Sequence, residues 1–145
     1  MNRTYMVDVR DKPGFLVAMM KYFAGNDARI SLEGDLTNCD FANIPAQLAE
    51  PDGAFGRNTT TPKQDYVIMP LTPETILPIL NQILPRGKCV HDIMHIEIEK
   101  AGELAVSACD NFHRECTAVS PSVPTTILDD LITHGVIRKY QEWKK

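Results

Sequence analysis

Apolar residues recur at two different periods along the chain, and the switches between them mark its elements. Tyr5, Val7 and Val9 share one face at period two, as the residues of a half-buried strand do. Phe15, Leu16, Met19, Met20 and Phe23 then recur at helical spacing, and Gly25-Asn26 supplies the stop. Between strand and helix lies the turn Asp11-Lys12-Pro13-Gly14-Phe15-Leu16. The first turn of a helix carries free N–H donors and the positive end of the dipole. Gly14 there either lets the backbone approach a carboxylate or phosphate, or completes a tight turn and nothing more. Alternation resumes with Ile30, Leu32 and Leu36 opposite Arg29, Ser31, Glu33 and Asp35, a strand with one wet face.

From Thr37 to Lys63 the pattern dissolves among Pro45, Pro51, Gly53, Gly56 and Asn58. So long an excursion is a functional flap, a short helix around Pro45 to Ala49, or a disordered segment. Asp65 to Leu71 predicts a third strand, which Pro70 ends or confines to a sheet edge. Thr72-Pro73-Glu74 is a helix start with a cap, a proline at the first position and an acid in the first turn. The helix is expected to bury Ile76, Leu77, Leu80, Ile83 and Leu84, with a kink or delayed start at Pro78 and an end at Pro85-Arg86-Gly87. Cys89 to Glu99 alternates again, Val90, Met94, Ile96 and Ile98 facing one way and Cys89, His91, His95, Glu97 and Glu99 the other, where the two glutamates read as a solvated face.

This order predicts an α+β fold, a ferredoxin-like βαββαβ antiparallel sheet with two helices on one face, over residues 1–100 with a long insertion at about 38–63. Residues 101–145 form an extension packed on the same domain. It consists of a hairpin from Glu103 to Ala108 and Glu115 to Ser120, a helix from Thr125-Thr126 to Gly135 that carries Leu128, and a short last strand at Val136-Ile137.

With 145 residues the chain is long enough to bury a core without disulfides or a structural metal. Its longest apolar stretch is too short to span a bilayer, and Met1-Asn2-Arg3-Thr4 has no signal-peptide pattern, so a cytoplasmic location is the default. The net charge of −4 and the dispersed basic residues argue against nucleic acid as a partner. Four cysteines, at 39, 89, 109 and 116, lack finger spacing and scaffold density, so most are expected to be reduced. Cys109, His113 and Cys116 around one turn are either inward strand residues, a zinc site completed by Cys89 or His91, or a thiol nucleophile with a histidine base. The expectation is no metal, no cofactor and no catalysis, because no oxyanion turn, phosphate loop or paired acids accompany them.

The first strand, the Asp11 to Leu16 turn, the helix ending Phe23-Ala24-Gly25-Asn26 and the strand from Ala28-Arg29-Ile30 together resemble the ACT domain, a regulatory module that binds amino acids and related metabolites. The resemblance covers residues 4–99. It implies a non-catalytic regulatory domain that pairs edge to edge as a homodimer and holds a small, amino-acid-like ligand at the first turn. Asp11, Lys12, Pro13, Gly14, Phe15 and Leu16 would line that site. Arg29 stands where the family often has an asparagine, and it either pairs with a ligand carboxylate or faces solvent. The alternative is a stand-alone protein-interaction module, of the inhibitor or immunity type, that engages a protein partner through the 38–63 insertion.

Overall fold

A computed structural model describes residues 3–59, 61–84, 92–109 and 111–144. In chain order the elements are β1 (Arg3–Val9), α1 (Lys12–Phe23), β2 (Ala28–Gly34), β3 (Asp65–Pro70), α2 (Pro73–Ile83), β4 (Ile93–Lys100), β5 (Glu103–Ala108), β6 (Thr117–Val119), α3 (Thr125–Thr133) and β7 (Ile137–Lys144). The fold is α+β, with three helices and one seven-stranded antiparallel open sheet among the described residues, in the order β3-β2-β4-β5-β6-β1-β7.

That order corrects the ferredoxin-like topology. In such a sheet a single strand splits each βαβ unit, and here that holds only for β3-α2-β4, split by β2. The β1-α1-β2 unit is split by three strands, because the β5–β6 hairpin continues from β4 and takes both the edge β4 offers and the edge β1 would have used. The hairpin is therefore interior to the sheet rather than an appendage. The last strand is also longer than Val136-Ile137. β7 pairs with β1 from Arg3↔Lys144 to Val9↔Ile137, so the basic tail is an edge strand.

One core forms on the helical face. Phe15, Leu16, Met19, Met20 and Phe23 of α1 pack with Ile30, Leu32, Ile96 and Ile98 of the sheet, with Ile79 and Ile83 of α2 and with Leu128 of α3. Phe15, Met19, Met20, Ile30 and Ile79 are fully buried. In α2, Thr72 caps Thr75 as the sequence suggests and Pro78 is accommodated inside the helix; Ile83 is buried and Ile76, Leu80 and Leu84 pack half-buried on the core as expected, whereas Thr75 and Ile79 complete the inward stripe and Leu77 faces solvent. The expected helix end at 85–87, and the positions Cys89, Val90 and His91, lie outside the described residues.

Cys109 and Cys116 are not reduced. They form a disulfide with Cα atoms 5.6 Å apart, closing the β5–β6 loop. Inside this loop Phe112 is buried edge-on against Phe15 of α1, and Asn111 donates to the carbonyl of Ile93. Closing so short a loop restricts the unfolded chain by about 2 to 3 kcal/mol. Reduction, or Cys116→Ser, is expected to lower the unfolding free energy by about that amount, measured by urea titration with and without a dithiol reductant. An unchanged midpoint would show that the bridge does not contribute.

Candidate functional site: a covered polar sheet face and the groove beside it

The first turn is filled by its own residues. Asp11 is the N-cap of α1, its Oδ1 accepting the Gly14 N–H at 3.0 Å. A Cβ on Gly14 would fall 2.4 Å from Asp11 Oδ2, so the glycine makes room for the cap. Pro13 occupies the first turn, where its missing N–H costs nothing. Phe15 and Leu16 are core residues, and the Lys12 ammonium donates to Asn111 Oδ1. The Asp11 carboxylate thus takes the Gly14 N–H and complements the positive end of the helix dipole.

Arg29 is not part of this turn. Strands alternate their faces, so Arg29 lies opposite Ile30 and Leu32, away from α1, and three strands separate β2 from β1. The structure brings the six turn residues together and leaves Arg29 on the other side of the sheet. Arg29 Nε donates to Glu99 Oε1 at 2.8 Å, Nη1 donates to Asp52 Oδ2 at 2.8 Å, and the guanidinium carbon lies 5.3 Å from the centre of the Phe55 ring.

That far face carries what the alternation pattern concealed. Ser31, Glu33, His95, Glu97 and Glu99 are all buried, Glu33 to 1% exposure, because the insertion lies over them. The expectation of solvated glutamates is thereby corrected. Four backbone amides of the insertion dock on a ladder of carboxylates. Ala54 N–H donates to Glu99 at 2.8 Å, Gly56 N–H more weakly to Glu97 at 3.5 Å, and Asn58 and Thr59 N–H to Glu33 at 2.8 and 3.1 Å. Thr59 Oγ1 bonds His95 Nε2 at 2.8 Å, and Phe55 seals the layer against Tyr66 and Ile68. The insertion is therefore a strap whose amides between Ala54 and Thr59 are met by strand side chains. Gly53 sits at φ +62, where a Cβ would lie 2.5 Å from Arg29 Nη2, so only glycine turns the chain onto the ion pair.

The electrostatics follow from this packing. The Arg29 hydrogen bond holds the Glu99 carboxyl below its ordinary range, against the opposing effect of burial. Glu97 lacks such a cation, and burial pushes it up to about 7, with the neighbouring Glu33 adding to the shift and Gly56 N–H opposing it. Burial likewise raises the Tyr66 phenol.

A second feature lies where the strap leaves the sheet. Leu36, Thr37, Cys39, Phe41, Ala42, Gln47, Leu48, Ala49, Asp65, Tyr66 and Val67 line a groove of about 620 Å³ along the outer edge of β3. Arg57 holds this part of the insertion in shape. It stacks 4.8 Å over the Tyr66 ring, and its Nη1 donates to the Gln64 carbonyl at 2.8 Å. Cys39 keeps its thiol, which donates to the Gln82 carbonyl.

The chain matches no known protein family, no curated protein and no solved structure. The ACT resemblance therefore stays an expectation from the first turn, and the geometry must carry any functional reading. Cys109 and Cys116 are joined in the disulfide, in which neither sulfur is a thiolate, and His113 Nδ1 accepts the Glu115 N–H. No group of three metal-ligating side chains converges among the described residues. None of the described helices is long and apolar enough to cross a membrane.

Proposed function

We propose that this protein is a non-catalytic interaction module that engages a protein partner through the insertion at about 38–63. The groove between the insertion and the outer edge of β3 carries the reading. It combines a concave, partly apolar surface with Leu48, a large apolar side chain 41% exposed at its rim. By contrast, the first turn holds its own cap, and Arg29 is bound by Glu99 and Asp52.

The test is capture of a partner from the native host by the intact chain, repeated with Ala42→Trp, which places a bulky ring in the groove. A one-to-one partner that is lost on this substitution, and that slows proteolysis within 38–63, supports the reading. Capture that survives Ala42→Trp, or that leaves cleavage of the insertion unchanged, overturns it.

A further inference from the structure

We infer that the partner enters this groove as an extended, cationic and apolar segment that adds a strand to the outer edge of β3. The inference rests on the reading of the groove as the partner's site and specifies what the groove recognises. β3 ends the sheet, with β2 on its inner side. On its outer side, Ile68 and Leu48 exchange both backbone hydrogen bonds, Ile68 N–H to Leu48 O at 2.8 Å and Leu48 N–H to Ile68 O at 3.0 Å. Antiparallel strands turn the N–H and C=O of alternate residues the same way. Tyr66, two residues from Ile68, therefore directs both its N–H and its C=O away from β2 and toward the groove. Among the described residues the insertion forms an isolated bridge at this edge, the Leu48↔Ile68 pair, and then bends at Ala49 and Glu50. A partner strand would continue what Leu48 begins.

The side chains around that path define the partner's chemistry. Among the described residues Asp65 is the one charged residue lining the groove, and Asp35, Asp40 and Glu50 flank lining residues in sequence, all of them exposed. Asp35, Asp40 and Asp65 each accept one backbone amide, from Thr37, Ala42 and Leu36 respectively, which fixes the carboxylates at the rim. Arg57 and Lys63 both pair with Glu50, so the negative charge of the rim rests on Asp35, Asp40 and Asp65. An extended segment with lysine or arginine on one face and aliphatic residues on the other meets the acidic rim and the apolar wall of Leu36, Phe41 and Val67 together.

The probe is a capped synthetic peptide of alternating lysine and valine, compared with one of alternating glutamate and valine. Both are titrated into the full-length isotope-labelled protein and read at backbone amides. The lysine peptide is expected to shift the Tyr66 amide and slow its exchange with solvent, to bind at least about tenfold more tightly than the glutamate peptide, and to weaken as salt rises. Ala42→Trp is expected to remove the effect. No change at Tyr66 with about 1 mM lysine peptide, or equal binding of the two peptides, overturns the inference. The two levels fail separately. A host partner that needs Ala42 but leaves Tyr66 amide exchange unchanged defeats edge addition and keeps the groove, whereas a partner indifferent to Ala42 defeats the groove itself.

Discussion

Replacing Arg29 by methionine is expected to destabilise the protein by about 3 kcal/mol at pH 7, with increased protease cleavage in the strap. The cost comes from Glu99, which is 5% exposed and would be left with the Ala54 N–H but no cation. Removing one partner of a buried pair leaves the other charge uncompensated, and the partial exposure of the Arg29 side chain keeps the effect at the lower end of that class. The Asp52 arm contributes little, since that carboxylate is more than half exposed. The sign with pH is fixed by Glu99. Its folded value is depressed by Arg29, so its contribution is present above the ordinary value of 4.5 and is lost as pH falls through the lower folded value. The difference between wild type and Arg29→Met should accordingly shrink in acid. Adding Glu99→Gln should recover most of the loss at pH 7. Denaturant titrations at pH 7 and pH 3 check both statements, and an Arg29→Met variant as stable as wild type at pH 7 would mean that the strap is held without the ion pair.

Much of the helical side of the molecule is legible in the amino-acid pattern, because burial there is written in periodicity. Phe15 to Phe23 at helical spacing and Ile30, Leu32, Ile96 and Ile98 at period two all reach the core the pattern assigns them. The Thr72-Pro73 start of α2 and the glycine stop after α3 work through local chemistry alone and are found where they were expected. The pattern fails where the partner of a residue is distant in sequence. Alternation says that Glu33, Glu97 and Glu99 face away from the apolar core, and it says nothing of what lies on their side. A strap without regular structure has no period of its own, so its docking could not be read from spacing. One signal was available. Three glutamates and an arginine stand on one face of two predicted strands, in a chain whose insertion brings Phe55 and a row of unpaired amides with no sheet to join. Strand order was illegible for a related reason. The sequence of elements is the same whether β1 lies beside β4 or the β5–β6 hairpin comes between them, and the choice is made by pairing across the sheet.

Glu97→Gln is expected to stabilise the protein by up to about 3 kcal/mol at pH 8 and above, and to have little effect at pH 4. Glu97 lies between the Arg29-bound Glu99 and the doubly hydrogen-bonded Glu33, and the long hydrogen bond from Gly56 N–H and that from the Asn58 side chain do not offset its burial. With burial as the main cause, its folded value rises from 4.5 to about 7. A carboxyl raised in this way contributes stability that is fully present below 4.5 and is lost as pH climbs through 7, because the folded state must then hold a desolvated charge beside Glu33. Glutamine keeps the shape and an acceptor for Gly56 while removing the titration. The gap between variant and wild type should open between pH 5 and pH 8, opposite in direction to the Arg29–Glu99 dependence in acid. Two neighbouring rungs of one carboxylate ladder thus respond to pH with opposite signs, because Arg29 hydrogen-bonds Glu99 whereas burial dominates at Glu97. A flat difference across this range in unfolding titrations would show that Glu97 stays ionised beneath the strap. Hydrogen exchange at the Gly56 amide, faster at pH 8 than intrinsic chemistry predicts for wild type but not for Glu97→Gln, would locate the effect at the strap's weakest rung.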